Sequence, residues 1–522
     1  MKDKILKIAI ILLIALQPIM DMDYLVYPFL DQFGLPRPST IIRFIIIPLL
    51  VLATFIFKEK NKKQVFLFAG IYGVCLAVYF VFHCRQAAAL VPVLELTNNF
   101  KFSVFQELTY VLTLVMPIGI TYCIYHMHFS QDTLKKITMW LSGVISIPIL
   151  IGDLFVFGKS TYYGYTVANI FSWFNGIYEI YHPRTLASKF FFNEGNTLGI
   201  LMFMILPLMY YYFATAKTRK EKGLILGLIV IQSFSMQILA TRVATYGALL
   251  IPAVFAVVYV FDFVLHKIIK EEVEMRKDVL ILCAVCTVVF AAMLNFTPAI
   301  NNQRVDAKND VALLSNGASE QGRASLKDGE DLIPGTKEYN NFYIFMFETY
   351  GIKAKYIQSV PSMYYIDYYN YKFDPKFWVD VTFMPVFDRV SGRQMQTIFT
   401  NYKYQKLTAP QKLLGMGYST FMNGSIVLEQ DFKQQIYTLG YIGEVLCVLP
   451  WLLVTGIGAC LVLFKFKKLL NLEVMTYAFS LCAGLGSAYM SGHTLDQFVT
   501  TVFMSMLVAV LLNRIVAVYK KD

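Results

Sequence analysis

Two carboxylates and four guanidinium groups are the side chains of this sequence best suited to do chemistry. Glu429 and Asp431 stand in VLEQDFKQQIYTLGYIG (427–443), just ahead of a run that turns apolar and stays so. A carboxylate held near a hydroxyl serves as a general base or orients a nucleophile. The same acid in the first turn of a helix instead stabilises it against its dipole, by about 0.3–1 kcal/mol, and Asp caps helices well. An i, i+2 spacing points both groups to one face of an extended segment but nearly opposite ways in a helix. Catalyst and cap both stay open at this level. His493 and Asp496 in SGHTLDQ are the next candidates for a base.

The arginines are Arg184 in YHPRTLASKFFFNEGNTLG, Arg242 in LATRVATYG, and Arg389 and Arg393 in DRVSGRQMQ. A planar guanidinium meets phosphate oxygens two at a time and keeps its charge at any ordinary pH. Singly, each has a plain alternative, pairing with a nearby carboxylate or snorkelling to the membrane surface. As a set placed around irregular segments, they read as a pyrophosphate site.

The elements that must position these groups are membrane helices. The chain is 57% hydrophobic and 16% charged, with a mean hydropathy of +0.54, whereas soluble domains carry about 25% charged residues. Apolar runs of about 17–25 residues cross a bilayer as helices. Twelve such runs are expected, at 4–20, 40–57, 64–83, 108–128, 136–157, 192–214, 223–240, 243–264, 278–296, 434–464, 472–490 and 497–517. The first reads as an uncleaved span, because no small-residue cleavage site follows it. The fold class is therefore an all-α polytopic membrane protein. Residues 1–296 hold nine of the runs and 434–522 the last three, with 297–433 as one large extracytoplasmic loop domain.

Short basic connections, MKDKILK, KEKNKK, DTLKK, KTRKEK, HKIIKEEVEMRK, KFKK and YKKD, alternate with the remaining ones. The positive-inside rule puts them, and both termini, in the cytoplasm. The arginines and carboxylates above then share the outer side of the cell membrane. Much of the net charge of +11 belongs to these signals, which removes the case for a nucleic-acid partner. The eight cysteines lie almost all within spans and read as core residues, Cys283 and Cys286 included. No metal motif and no phosphate-binding glycine loop is present, so neither a metal nor a cofactor is expected.

A segment as long as 297–433 without a function would be unusual. Its first part, NNQRVDAKNDVALLSNGASEQGRASLKDGEDLIPGTKEYNN, is polar and reads as mobile. Its second part, 342–378, is crowded with aromatic residues, including MYYIDYYNYKFDPKFW. Such rings either anchor a segment at headgroup level or stack on sugar rings.

RTLASKFFFNEGNTLGILMFMILPL, ILATRVATYGALLI, SGRQMQTIFTNYKYQKLTAPQKLLGMGYS and the acidic pair followed by LGYIGEVL together resemble successive motifs of the O-antigen ligase and polysaccharide polymerase superfamily. The resemblance covers about 180–245 and 385–450, roughly a quarter of the chain. It implies the architecture of the C-type membrane glycosyltransferases. It also implies an undecaprenyl diphosphate-linked glycan as donor, with an acceptor hydroxyl attacking the anomeric carbon. Family members are thought to use neither nucleotide sugar nor metal. Carried over, Arg184 and Arg242 would bind the diphosphate, with Arg393 and Arg389 near donor or acceptor, and Asn193 and Asn196 at the Asn-rich start of the following helix. A flippase and a chain-length regulator would be partners in the same pathway, besides the membrane lipids. Where the lipopolysaccharide ligases place a His before the Gly-rich helix, this chain has Glu429 and Asp431, which speaks for polymerisation, or transfer to a wall acceptor, over transfer to lipid A.

Two readings of other classes compete. A lipid-linked glycan flippase or transporter would show ionisable residues inside its spans and related halves, whereas the charges here are expected to cluster outside. A non-catalytic scaffold or sensor would bind glycan through the loop domain. The arrangement itself is testable by labelling. Cysteines introduced at Ser315 and Ser391 should react with an impermeant reagent in cells without an outer barrier, and one at Lys220 should stay unlabelled. Labelling of Lys220→Cys from outside would overturn the topology.

Overall fold

The computed structural model describes residues 2–33, 36–93, 102–268, 274–315, 320–354, 357, 360, 362, 364–384, 392–419 and 428–520. Among them there is no strand, only an isolated bridge between Lys159 and Tyr165. Nine helices of the described residues are long and apolar enough to cross a membrane, and two pairs divided by a short break raise the number to as many as eleven. One pair is Lys2–Ala15 with Gln17–Leu25, and the other is Asp431–Cys447 with Leu449–Phe464. The protein is thus an all-α polytopic membrane protein. The run at 472–490 forms the helix Leu472–Met490, which is not among the eleven. Glu473, Thr476, Ser480 and Ser487 lower its hydropathy.

The chain divides into two compact units, one of residues 1–69, 112–303 and 448–522, the other of 70–111 and 304–447. The first is organised around the Gly195–Thr215 helix, 94% of whose apolar window is buried. Lipid gives apolar side chains no reason to leave it for one another, so interhelical polar contacts and close packing hold such bundles together. Here Gln232 donates to the Met202 carbonyl at 2.8 Å and accepts from Ser142 at 2.6 Å. Ser235 donates to the Ser146 carbonyl at 2.7 Å, and the hydroxyls of Tyr212 and Tyr477 meet at 2.8 Å.

The basic connections of this unit are joined to one another. Lys58 pairs with Asp3 at 2.6 Å, Lys135 with Glu221 at 2.5 Å, and Lys222 with Asp278 at 2.7 Å. Arg514 pairs with Glu473 at 2.6 Å, and the Lys465 ammonium lies 4.0 Å from the Tyr519 ring centroid. Polar ends of neighbouring helices satisfy each other here, each exposed pair contributing at most about 1 kcal/mol.

The second unit has a core of its own, including Tyr343, Phe347, Tyr369, Phe377, Trp378, Phe399 and Met416. The aromatic run of 342–378 therefore does something other than anchoring or sugar stacking at its buried members. Tyr369 and Trp378 are fully buried, and the Trp378 indole donates to the Tyr369 carbonyl at 2.8 Å. Asp374 organises one edge, accepting from the hydroxyls of Tyr369 and Tyr402 and from Lys406. Burial pushes its carboxyl up, but these donors outweigh burial and hold it below its ordinary pKa. The polar stretch before it is helical over Pro298–Ser315 and Glu320–Leu326.

The expected span 434–464 is not one helix. Within Asp431–Cys447, Gly440 adopts φ 71°, ψ 176°, and Leu449–Phe464 starts afresh with Pro450 in its first turn. The break is made by two backbones in contact. Gly415, at φ 80°, lies against Gly440, while Met416 and Gly417 donate to the carbonyls of Tyr437 and Thr438 at 2.9 Å each. A Cβ on Gly440 would sit 2.4 Å from the Leu413 carbonyl oxygen and the Gly415 nitrogen. This crossing is what Gly415 of LLGMGYS and Gly440 of LGYIG serve. Gly440→Ala should therefore destabilise the protein by about 3 kcal/mol or more, from positive φ and backbone collision together. Thermal melting of the purified protein should show a clear drop in Tm, with Gly70→Ala, which meets no atom within 4 Å, unchanged. An unaltered Tm for Gly440→Ala would contradict the crossing.

Candidate functional site

In the first unit, the site residues are gathered by two glycines one turn apart. A Cβ on Gly195 would lie 2.4 Å from Thr161, and one on Gly199 would lie 2.5 Å from the Thr241 hydroxyl. Their absence lets the 155–194 loop and the start of the Arg242–Ile268 helix press against the first turns of Gly195–Thr215. Ala240 takes φ 56° to end the preceding helix. Thr241 then accepts from the Ala244 N–H at 3.3 Å, the ordinary work of a Thr cap. Arg242 is consequently the first residue of its helix, with its side chain exposed.

Arg184 sits in the short turn Pro183–Leu186, its carbonyl accepting from Ser160 at 2.6 Å. Tyr162 joins Arg184 to the turn that precedes Arg242. Its ring lies 5.6 Å from the Arg184 guanidinium, and its hydroxyl donates at 2.9 Å to Ala240, two residues before Arg242. A second link runs through consecutive amides. Arg184 Nε donates to Asn302 at 2.9 Å, and Tyr246, one turn into the Arg242 helix, reaches Gln303 at 3.2 Å.

Two lysines that sequence reasoning passed over join this region. Lys159 and Lys189 lie 4.9 and 5.9 Å from the Tyr24 ring, and the Lys189 ammonium donates to the Asn193 carbonyl at 2.6 Å. Burial, with Lys159 nearby, lowers the Lys189 pKa against the pull of Glu194. The signal was present in SKFFFNEGN, where a lone cation stands among aromatic residues, but lysines in loops are too common to single out. Asn193 lines a cleft with Asp21, Glu194, Thr197 and Gln497. Asn196 is exposed in the first turn of the Gly195 helix. His493 holds φ 55°, and its ring nitrogen lies 3.6 Å from Asp496, next to Gln497 of that cleft.

The remaining candidates belong to the second unit. Asp431 is the first residue of Asp431–Cys447 and is 2% exposed; Glu429 stands in the bend before it, half-buried. Gln434, Gln435 and Thr438 are buried on the following turns. Arg393 is the second residue of Gly392–Gln405, and Arg389 lies outside the described residues.

A buried pair behind this helix start was not foreseen. His83 and Glu107 are both fully buried and meet at 3.0 Å. Glu107 also accepts from the Tyr418 N–H at 2.9 Å, the Ser419 N–H at 2.7 Å and the Ser419 hydroxyl at 2.6 Å. The other His83 nitrogen faces the Leu414 carbonyl at 2.6 Å. Both ring nitrogens thus face oxygen atoms within hydrogen-bond distance. The pair fixes 414–419, and Tyr418 in turn stacks on Tyr110 at 4.1 Å. Other ionisable groups, Asp153, Asp262 and Glu444, also occupy helices of the spanning class or the bent pair. This corrects the expectation that charges cluster only outside the spans. An acid or His in an apolar run is legible in sequence, and its partner, over 300 residues away for Ser419, is not.

Among the described residues, no three His, Cys, Asp or Glu side chains group as a metal ion would require. No curated protein and no solved structure matches the chain. A family model does, that of the O-antigen ligase like membrane proteins, over residues 2–518. With a helical membrane fold and a cationic, glycine-gathered turn at the motifs that suggested it, the chain belongs to the family of O-antigen ligase like membrane proteins.

Proposed function

We propose that this protein is a glycosyltransferase that extends a polysaccharide from undecaprenyl diphosphate-linked oligosaccharide at the outer leaflet of the cell membrane. The basic connections and both termini are assigned to the cytoplasm, and residues 297–433 to the outer side. The observation that carries the reading is that Tyr162 sets its ring near the Arg184 guanidinium and its hydroxyl on the Ala240 carbonyl in the turn before Arg242, with Lys159 and Lys189 in the same loop. A diphosphate leaving group carries its developing charge at the oxygen being released, and fixed guanidinium forks stabilise it there. The acceptor oxygen bonds to the anomeric carbon as the bond from that carbon to the diphosphate oxygen breaks. The lipid diphosphate departs with the electron pair. The hydroxyl proton passes to a carboxylate, assigned to Asp431 or Glu429, with His493 and Asp496 as the reserve. The acidic pair in place of a His favours polymerisation, with ligase-type transfer to a lipid or wall acceptor as the alternative.

Reconstitution with lipid-linked oligosaccharide and no nucleotide sugar should yield longer chains. Movement of the oligosaccharide across the bilayer without extension would instead identify a transporter. Arg184→Lys and Arg242→Lys should each lose most of this activity while inserting and folding normally, because an ammonium keeps the charge but not the two-pronged contact. Near-normal extension by both would end the diphosphate assignment.

Cap and catalyst separate at Asp431. Asn caps about as well as Asp, so Asp431→Asn should be mild if the group only supports the helix. Loss of a general base commonly costs about 10²–10⁴ in rate. We expect Asp431→Asn or Glu429→Gln to abolish chain growth at unchanged Tm, and full activity of the double variant would make the pair structural.

A further inference from the structure

A second cavity, of about 160 Å³, opens in the first unit between the end of the Val104–Met127 helix and the last turns of Phe498–Tyr519. It shares no lining residue with the groups discussed above as a site. Its polar lining is Arg514, Asn513 and His128, and its apolar wall includes Ile124, Phe129 and Val510.

The polar groups leave room for an anion. Arg514, one of the lining residues, is held by Nε, which donates to Glu473 at 2.6 Å. The Glu473 carboxylate is shared with the Gln131 amide. Asn513 is fixed by donating to the Tyr125 carbonyl at 3.0 Å. His128 holds φ 44° in the turn after Met127 and keeps its ring exposed. A third cation approaches from another helix, with the Lys7 ammonium 5.4 Å from the Phe129 ring centroid. One carboxylate against Arg514 and Lys7 leaves a net positive charge, and His128 adds to it when protonated.

The surroundings say what the anion is attached to. The cavity lies where spanning helices end and where the connections pair, as Lys58 does with Asp3. That is headgroup depth, where basic pockets between helices recognise anionic lipid headgroups. Ile124, Phe129 and Val510 are buried against its floor, so the cavity takes a headgroup and leaves the acyl chains in the bilayer. We propose that this cavity is a binding site for the phosphate headgroup of an anionic phospholipid, gripped by Arg514 with His128 and Lys7. The shared chemistry is a phosphate oxyanion, and the place of the cavity at the ends of spanning helices decides for the lipid as its source.

The test uses the purified full-length protein, stripped of lipid in detergent and offered phosphatidylglycerol, phosphatidylcholine or inorganic phosphate. Bound lipid is read by native mass spectrometry and by the shift in Tm. Phosphatidylglycerol should be retained and should raise Tm, with phosphatidylcholine doing neither. Arg514→Gln should weaken retention about tenfold, the loss of one charge-assisted contact. Because that change also strips Glu473 of its partner, Lys7→Gln and His128→Gln serve as variants that leave the Glu473 pair intact, and each should weaken retention severalfold with lipid-free Tm changed by no more than a degree or two. Lys62→Gln, an exposed charge elsewhere in the same unit, should have no effect. Equal retention of phosphatidylcholine, an equal loss from Lys62→Gln, or stabilisation by inorganic phosphate with no lipid retained would each overturn the proposal. None of these readouts involves glycan transfer, so the result stands apart from the proposed activity.

Discussion

A helix buried on nearly every side must make room where other backbone has to come close, and Gly195–Thr215 does so at its first two turns. Gly195 and Gly199 admit Thr161 and Thr241 to distances that any side chain would forbid. The approach of Thr241 sets where the next long helix begins, and therefore where Arg242 projects. The approach of Thr161 brings the loop that carries Lys159, Tyr162 and Arg184. Close packing thus precedes electrostatics here, because guanidinium groups at a membrane surface are useful only where the backbone holds them in one place.

The second unit repeats the principle with different means. Gly415 and Gly440 cross without side chains, and the buried His83 and Glu107 pair holds the strand of chain between them and Ser419. Removing one partner of such a pair leaves an uncompensated buried group, which costs more than the pair itself contributes. The Asp431 helix start therefore rests on a support of polar groups that do not themselves belong to the proposed chemistry. Rigid support of this kind is what a positioned base needs, since small displacements of a catalytic group are costly.

The two ends of the first unit also differ in chemistry. Around the basic connections the charges pair off, Lys135 with Glu221 and Lys222 with Asp278. Around Tyr24 and Tyr162 cations meet aromatic faces, at 4.9 Å for Lys159 and 5.6 Å for Arg184. A cation over a ring keeps much of its charge available to an anion.

Hydropathy alone determined that this chain is a helical membrane protein, because the cost of an unsatisfied backbone in lipid leaves few other choices. Motif order pointed to the family, and the arginines and acids of those motifs were all visible as residue types. Periodicity could not reveal that the run 434–464 is broken, since Gly440 looks like any small residue in a span until the Gly415 backbone is beside it. Nor could it tell that Tyr369 and Trp378 are core rather than surface, because an aromatic residue suits a core, an interface and a sugar equally well. The joining of Arg184 through Tyr162 to the turn before Arg242, and of Glu107 to Ser419 across 312 positions, was decided only by tertiary structure. Contacts between groups so far apart in sequence depend on which helix faces meet, and no local pattern records that.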